Sequence, residues 1–254
     1  MGADQCGDRF VLSLSIKIFL VFVLFWSALL RADFADDLAR IHMEAIGGFK
    51  NLVMLKALRA TGVTKIDGDE LRFVMWAARP NLIRTETTLK ERVLTQGWDG
   101  VNPPWLMDSK NGGILEMGAV AARAFDADAE FDDSLVLKGA RRISVDYAGE
   151  TEIDGKLVFK LLVTENFTES FVIYLDRSTY FIIRRDMEKP GAHGKEVVIT
   201  EYKEFSPVNG VMLPHRIVQK VAGRVCYETL LEQIDANPPI KPGLFSRPLI
   251  LVKP

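Results

Sequence analysis

Residues able to do acid–base, nucleophilic or metal chemistry are sparse in this chain. There are three histidines, His42, His193 and His215. None is spaced with Cys, Asp or Glu in the manner of zinc ligands, and no Ser, His and Asp set announces itself. His215 follows Pro214 in an extended stretch with nothing beside it to act as a partner, so it reads as a structural histidine rather than a general base. Glu201 and Glu204 could do acid–base work only by converging in one pocket with displaced pKa values. Asp126, Asp128, Asp132 and Asp133 lack the glycine and terminal Glu of a Ca²⁺ loop. Gly47-Gly48 and Gly112-Gly113 lack the strand and helix context of a phosphate loop. Asn166-Phe167-Thr168 matches a glycosylation acceptor, a tripeptide too common to be informative. The expectation is no metal, no cofactor and no catalytic set, which favours a carrier over an enzyme.

One charged group is placed more tellingly. Leu71, Phe73, Met75 and Ala77 recur every second residue, the signature of one face of a strand. Arg79 continues that parity, and Pro80 must bend or end the strand there. A cation at the end of an apolar stripe describes a greasy groove with a polar latch at its mouth. The same pattern describes a core strand with a surface arginine.

The elements around this stripe are mostly extended. Phe34 to Ile46 reads as a helix with Phe34, Leu38, Ile41 and Ala45 on its apolar side. Asp33 stands as N-cap and Gly47-Gly48 as terminator. A short second helical turn covers Phe49 to Met54. Strands are expected near 58–66, 71–78, 82–89 and 92–97, then near 143–147, 156–164, 170–175, 180–185, 196–205, 211–221 and 224–235. Between the two runs, Met117, Val120, Ala121, Ala124 and Phe125 suit another helix. Turns such as Asp67-Gly68, Asp154-Gly155 and Asn209-Gly210 are too tight for parallel crossovers, so the neighbours are antiparallel. The fold expected is mainly β (α+β): a single strongly curved antiparallel sheet forming a half-open barrel, covered by short helices.

The chain has 254 residues and a formal charge of −2. Arg9 and Lys17 precede an apolar run from Ile18 to Leu30, and Ala32 stands at a cleavage position. That is the layout of a signal peptide over residues 1–32, with an uncleaved anchor as the alternative. The run is shorter than the roughly 20 residues that span a bilayer. The remaining 33–254 suffices for one domain. Near-balanced charge gives no electrostatic case for nucleic acid. Cys226 would then stand alone, so the domain must rely on its core rather than a disulfide.

Three places resemble the outer-membrane lipoprotein-sorting group, the LolA-like periplasmic carriers. They are Gly68-Asp69-Glu70-Leu71 through Arg79-Pro80-Asn81-Leu82, Asp99-Gly100 followed by Trp105, and Tyr202 through Gly210-Val211-Met212-Leu213-Pro214 with Asn237-Pro238-Pro239-Ile240, Leu244-Phe245 and Pro248. Trp76 and Arg84 depart from the carrier's pattern. The resemblance implies a monomeric periplasmic carrier that shelters lipoprotein acyl chains or another lipid between donor and acceptor proteins of the inner and outer membranes. Leu71, Phe73, Met75, Phe159, Leu161, Phe171 and Ile173 are then expected to line the lipid cavity. Arg79 matches the arginine that holds the lid shut. The competing reading is a non-enzymatic sensing or interaction module of the envelope on the same half-barrel.

Overall fold

The computed structural model describes residues 34–138, 143–165, 169–191 and 194–248. The expected signal segment 1–32, Asp33, His193 and the Asn166–Thr168 tripeptide lie outside these residues. Helix α1 (34–45) and α2 (Gly48–Met54) lead into β1 (Ala57–Ile66), β2 (Asp69–Ala78), β3 (Leu82–Leu89), β4 (Arg92–Trp98), β5 (Trp105–Asp108) and β6 (Ile114–Glu116). Helices α3 (Ala119–Asp128) and α4 (Ser134–Leu137) follow. The chain then returns as β7 (Ile143–Ile153), β8 (Lys156–Glu165), β9 (Glu169–Asp176), β10 (Ile182–Gly191), β11 (Gly194–Val208), β12 (Val211–Val221) and β13 (Arg224–Ala236).

All strands join one antiparallel sheet of 13, in the order β6-β5-β4-β3-β2-β1-β13-β12-β11-β10-β9-β8-β7. Its ends do not pair, so it is a half-open barrel. The two meanders meet where β1 pairs with β13, from Leu58↔Ala236 to Ile66↔Tyr227. Bulges at Thr61/Gly62, Tyr147/Gly149, Ile182/Arg184 and Gln219/Lys220 add the local twist that curls a sheet. Gly62 is needed at its bulge, since a Cβ there would lie 2.0 Å from the Leu230 carbonyl oxygen.

The topology also dictates where the helices go. The chain leaves the sheet at one edge, β6, and re-enters at the opposite edge, β7. Laid flat, thirteen strands would span about 58 Å, whereas α3 and α4 advance only about 15 Å and 6 Å. The sheet curls, and Phe125 of α3 and Leu135 of α4 pack on its concave face.

The helices bury three apolar groups, and the C-terminal segment covers a fourth. Ala35, Leu38 and Ala39 of α1, with Leu135 of α4, pack on Val145, Phe159, Leu161, Val163, Phe171, Ile173 and Leu175. Ile46, Leu52 and Leu55 pack on Val211, and Phe125 and Ala129 on Ile83. On the outer face Phe245 and Leu244 cover Ala57, Ala78, Trp76 and Leu82, and the Trp105 indole donates to the Phe245 carbonyl at 3.0 Å. The buried side of α1 differs from the expected one. Ala35, Leu38, Ala39, His42 and Ile46 are buried, whereas Phe34 is 37% exposed. Two alanines allow the helix to approach the sheet closely, and this turns His42 inward.

Phe245→Ala removes a ring that is 6% exposed and should cost about 3 kcal/mol. Urea unfolding followed by tryptophan fluorescence checks this; an unchanged midpoint would show that the C-terminal segment is not part of the folded unit.

Candidate functional site

Arg79 emerges just past β2, beneath the point where α2 ends. A helix ends with carbonyls that have no intrahelical partner. Two of these, from Leu52 and Leu55, accept from Arg79 Nη2 at 2.8 Å and Nε at 2.9 Å. The rest of the guanidinium meets Asp132 in a bidentate ion pair, with Nη2 to Oδ1 at 2.6 Å and Nη1 to Oδ2. The Phe131 ring lies 4.7 Å from its carbon. One side chain thus fastens both α2 and the α3–α4 connection to the sheet.

The next residue repeats the pattern with α1. Asp133 Oδ1 caps α4, accepting from the backbone N–H of Leu135 and Val136 at 2.9 and 3.2 Å. Asp133 Oδ2 lies 3.0 Å from His42 Nε2, and His42 Nδ1 lies 2.7 Å from the Tyr180 carbonyl oxygen. Both ring nitrogens face acceptors, an arrangement that favours the imidazolium, which can donate to both. Burial opposes that charge, but Asp133 and the two hydrogen bonds outweigh it and raise the His42 pKa above 6.5. Burial likewise opposes ionisation of Asp133, yet His42 and the capped N–H groups hold it below 3.8. Lys138 completes the fastening by pairing with Asp36 of α1. Between α1 and α2 the hinge is Gly47, whose φ of 133° is closed to other residues; a Cβ there would lie 2.3 Å from the Gly210 carbonyl oxygen.

The seven residues expected to line a cavity all lie on the helix-bearing face but in separate places. Phe159, Leu161, Phe171 and Ile173 form one packed group under α1 and α4. Met75 packs beneath α3. Leu71 and Phe73, half-buried, follow on the same face of β2 outside these packed groups. Strands β1, β13, β12, β11 and β10 lie between the two sets.

That intervening floor is polar, which sequence reasoning missed. Arg185 stacks on Phe171 at 4.0 Å and reaches Tyr202. Register places Thr200 opposite Arg185 and Gln219, and Tyr227 opposite Gln219, on one face. Asp128 of α3 descends toward this belt: burial raises its pKa against the pull of Lys189 and Arg185. Burial and the Asp128 charge push the Tyr227 phenol up to about 12. These side chains come from separate strands, and the register of β10–β13 assembles them.

The other candidates do not converge. His215 Nδ1 lies 3.1 Å from the Leu231 carbonyl oxygen. Glu201 is taken by Lys203 and Lys220, and Glu204 by Arg216. Among the described residues no cluster of His, Cys, Asp or Glu could hold a metal ion, and no helix is long and apolar enough to cross a membrane. An open cleft of about 480 Å³ lies beneath the C-terminal segment, lined by Ala57, Ala78, Leu82, Asp99, Ile240 and Leu244, and by none of the expected lining residues.

A single curled antiparallel sheet with helices on its concave face defines a class of half-barrel, and solved structures share that fold. A domain named for outer-membrane lipoprotein sorting, from Vibrio parahaemolyticus, has a TM-score of 0.60 over 85% of this chain and 97% of its own, at 10% identity. A DUF1329 family protein from Desulfovibrio piger gives 0.57 over 85% and 97%, also at 10% identity. A LolA superfamily protein from Nitrosomonas europaea gives 0.54 over 81% and 97%, again at 10%. The fold is therefore LolA-like. No family model and no curated protein matches the sequence.

The His42–Asp133 pair makes the cover pH-sensitive. A raised histidine pKa contributes stability that is complete below 6.5 and is lost as pH rises through the folded value. The lowered Asp133 contributes above 3.8 and is lost as pH falls through its own folded value. His42→Gln should therefore flatten the fall in thermal midpoint on the alkaline side of 6.5. Parallel midpoint–pH curves for the variant and parent would refute the assignment.

Proposed function

We propose that this protein is a non-enzymatic carrier of the periplasm. It shelters lipoprotein acyl chains or another lipid between the sheet and its helical cover during transfer through the envelope toward the outer membrane. The observation that supports this reading is the Arg79 latch, which ties two helical segments to the end of β2 above an apolar face.

The energetics suit that work. A hydrocarbon chain is held in a membrane by about 0.8 kcal/mol per methylene, or roughly 12 kcal/mol for sixteen carbons. A shuttle must match that shelter and then release it. In the latched state the floor under α1 is occupied by the cover's own Ala35, Leu38 and Ala39. Cargo enters by displacing these side chains, so apolar contact is exchanged rather than created. The latch then adjusts the balance between closed and loaded states through a few charge-assisted hydrogen bonds. Leu71, Phe73, Met75, Phe159, Leu161, Phe171 and Ile173 form the floor that becomes available when the cover lifts. Donor and acceptor proteins at the two membranes complete the cycle.

The packed floor under α1 also favours a second reading, a sensing or interaction module that reports rather than carries. Native mass spectrometry of protein from the envelope fraction separates the two: retained acyl species support the carrier, whereas a stoichiometric protein partner without lipid supports the module.

Arg79→Leu leaves the Asp132 carboxylate and two carbonyls without their cation, at a cost of about 1–3 kcal/mol. The far-ultraviolet spectrum should be retained while lipid uptake or release between vesicles changes several-fold. Transfer at the parental rate would remove the carrier reading's dependence on the latch.

A further inference from the structure

Helix α2 has a second side, turned away from the sheet. Phe49, Val53 and Met54 are 66%, 50% and 52% exposed, on the arc opposite the buried Leu52 and Leu55. Asn237 fixes the C-terminal segment against the same end of the helix. Its Oδ1 accepts from the Lys56 and Ala57 N–H groups at 2.8 and 3.2 Å, and its Nδ2 donates to the Met54 carbonyl at 3.0 Å. Ile240, 37% exposed, and Lys241 thereby share one cleft with Lys56. The patch drawn from the two segments is flanked by three exposed lysines, Lys50, Lys56 and Lys241. None of their ammonium groups has an ion-pair partner among the described residues. Glu44 lies beside Gly48, and Asp99, which lines the same cleft as Lys56 and Lys241, has its carboxylate occupied by the Val101 and Asn102 N–H groups.

Large apolar side chains standing in water within a cationic rim match the chemistry of a lipid interface. The apolar groups enter the headgroup boundary while lysines reach phosphates beside them. We propose that α2 and the adjoining 238–241 turn form a docking surface for an anionic phospholipid membrane. The charge argument decides the occupant: the chain as a whole is acidic, at −2, yet this apolar patch has unpaired lysines on its borders. Each lysine near such a surface strengthens attachment about fivefold, which gives weak and reversible contact. The docked helix is also the one whose Leu52 and Leu55 carbonyls Arg79 holds. Membrane arrival therefore pulls on the latch itself.

The test uses the full chain with Phe49→Trp, mixed with brominated phosphatidylcholine vesicles with or without phosphatidylglycerol. The emission difference from the parent reports position 49 alone. A blue shift and quenching that require phosphatidylglycerol and fade at high salt are expected. Combining Lys50→Glu, Lys56→Glu and Lys241→Glu should weaken that signal's vesicle affinity by roughly a hundredfold or more with an unchanged circular dichroism spectrum. Four results overturn the proposal: no quenching, quenching indifferent to anionic lipid, quenching indifferent to the three charge reversals, or protection of position 49 by a protein partner alone. Emission already blue-shifted before vesicles are added, with the chain's own apolar run 18–30 on the patch, overturns it as well. Cargo transfer is not part of the readout, so docking and carriage can fail separately.

Discussion

The guanidinium of Arg79 is the interaction on which the arrangement of the cover depends. Helix α2 has only 7 residues, well below the length at which a helix persists by itself. It has no side-chain N-cap, and Gly47 precedes it. Beside the packing of Leu52 and Leu55 and the Asn237 contact, its far end is held by a cation placed at the negative pole of the helix, where terminal carbonyls need donors. The same cation neutralises Asp132, whose side chain is only 10% exposed. Remove the cation and two segments distant in sequence each lose a tie at once, because one guanidinium serves both.

Topology explains why so much depends on so few groups. A sheet whose two meanders diverge from a central β1–β13 seam leaves its edges at β6 and β7, and the connection between them has to bridge the concavity. This bridge is too polar to be a core layer. It carries Asp128, Asp132 and Asp133, and each meets a cation: Arg185 and Lys189, Arg79, and His42 respectively. Apolar burial is strong under α1, where Leu38, Leu161, Val163 and Leu175 are at most 1% exposed. Across the middle the roof is held mainly by directional, charged contacts. Hydrophobic contact fades gradually with separation, whereas an ion pair with two hydrogen bonds is either made or lost. The middle of the cover is therefore held by contacts that depend on exact geometry.

Much of this was legible in the residues. Alternation along 71–79 placed Arg79 on the covered face, and tight turns forced antiparallel neighbours. Strand β6 was missed because three residues after Gly112-Gly113 are too few to show a period. Helix α1 was rotated in the expectation because large apolar residues were given the buried side, whereas close approach to the sheet selects Ala35 and Ala39. His42 then falls on the inner face, a placement that no hydrophobicity pattern signals. The sequence leaves the acidic end with Asp132 and Asp133 either solvated or paired with a basic neighbour, and the second alternative holds. Consecutive residues at a helix start point in different directions, and only the tertiary arrangement supplies a cation for each. Arg185, Tyr202 and Tyr227 come from three strands, so their meeting depends on register across β10–β13, which no local stretch encodes.

That polar belt bears on what sort of interior this is. If the concave face needed only to be a stable core, apolar residues of equal volume at Arg185, Tyr202 and Tyr227 would serve at least as well, since buried charges seldom repay their desolvation. Retaining Arg185 opposite Asp128 weakens the seat of α3 relative to an all-apolar packing and makes it depend on ionisation. The burial that raises the Asp128 pKa is the same burial that a lifted α3 would relieve. Closure at the centre is consequently worth less than closure under α1, and the two ends of the roof differ in strength. The apolar floor beneath Leu38 is the anchored end. At the other end α2 is short, and it combines apolar contact through Leu52 and Leu55 with polar ties to Arg79 and Asn237.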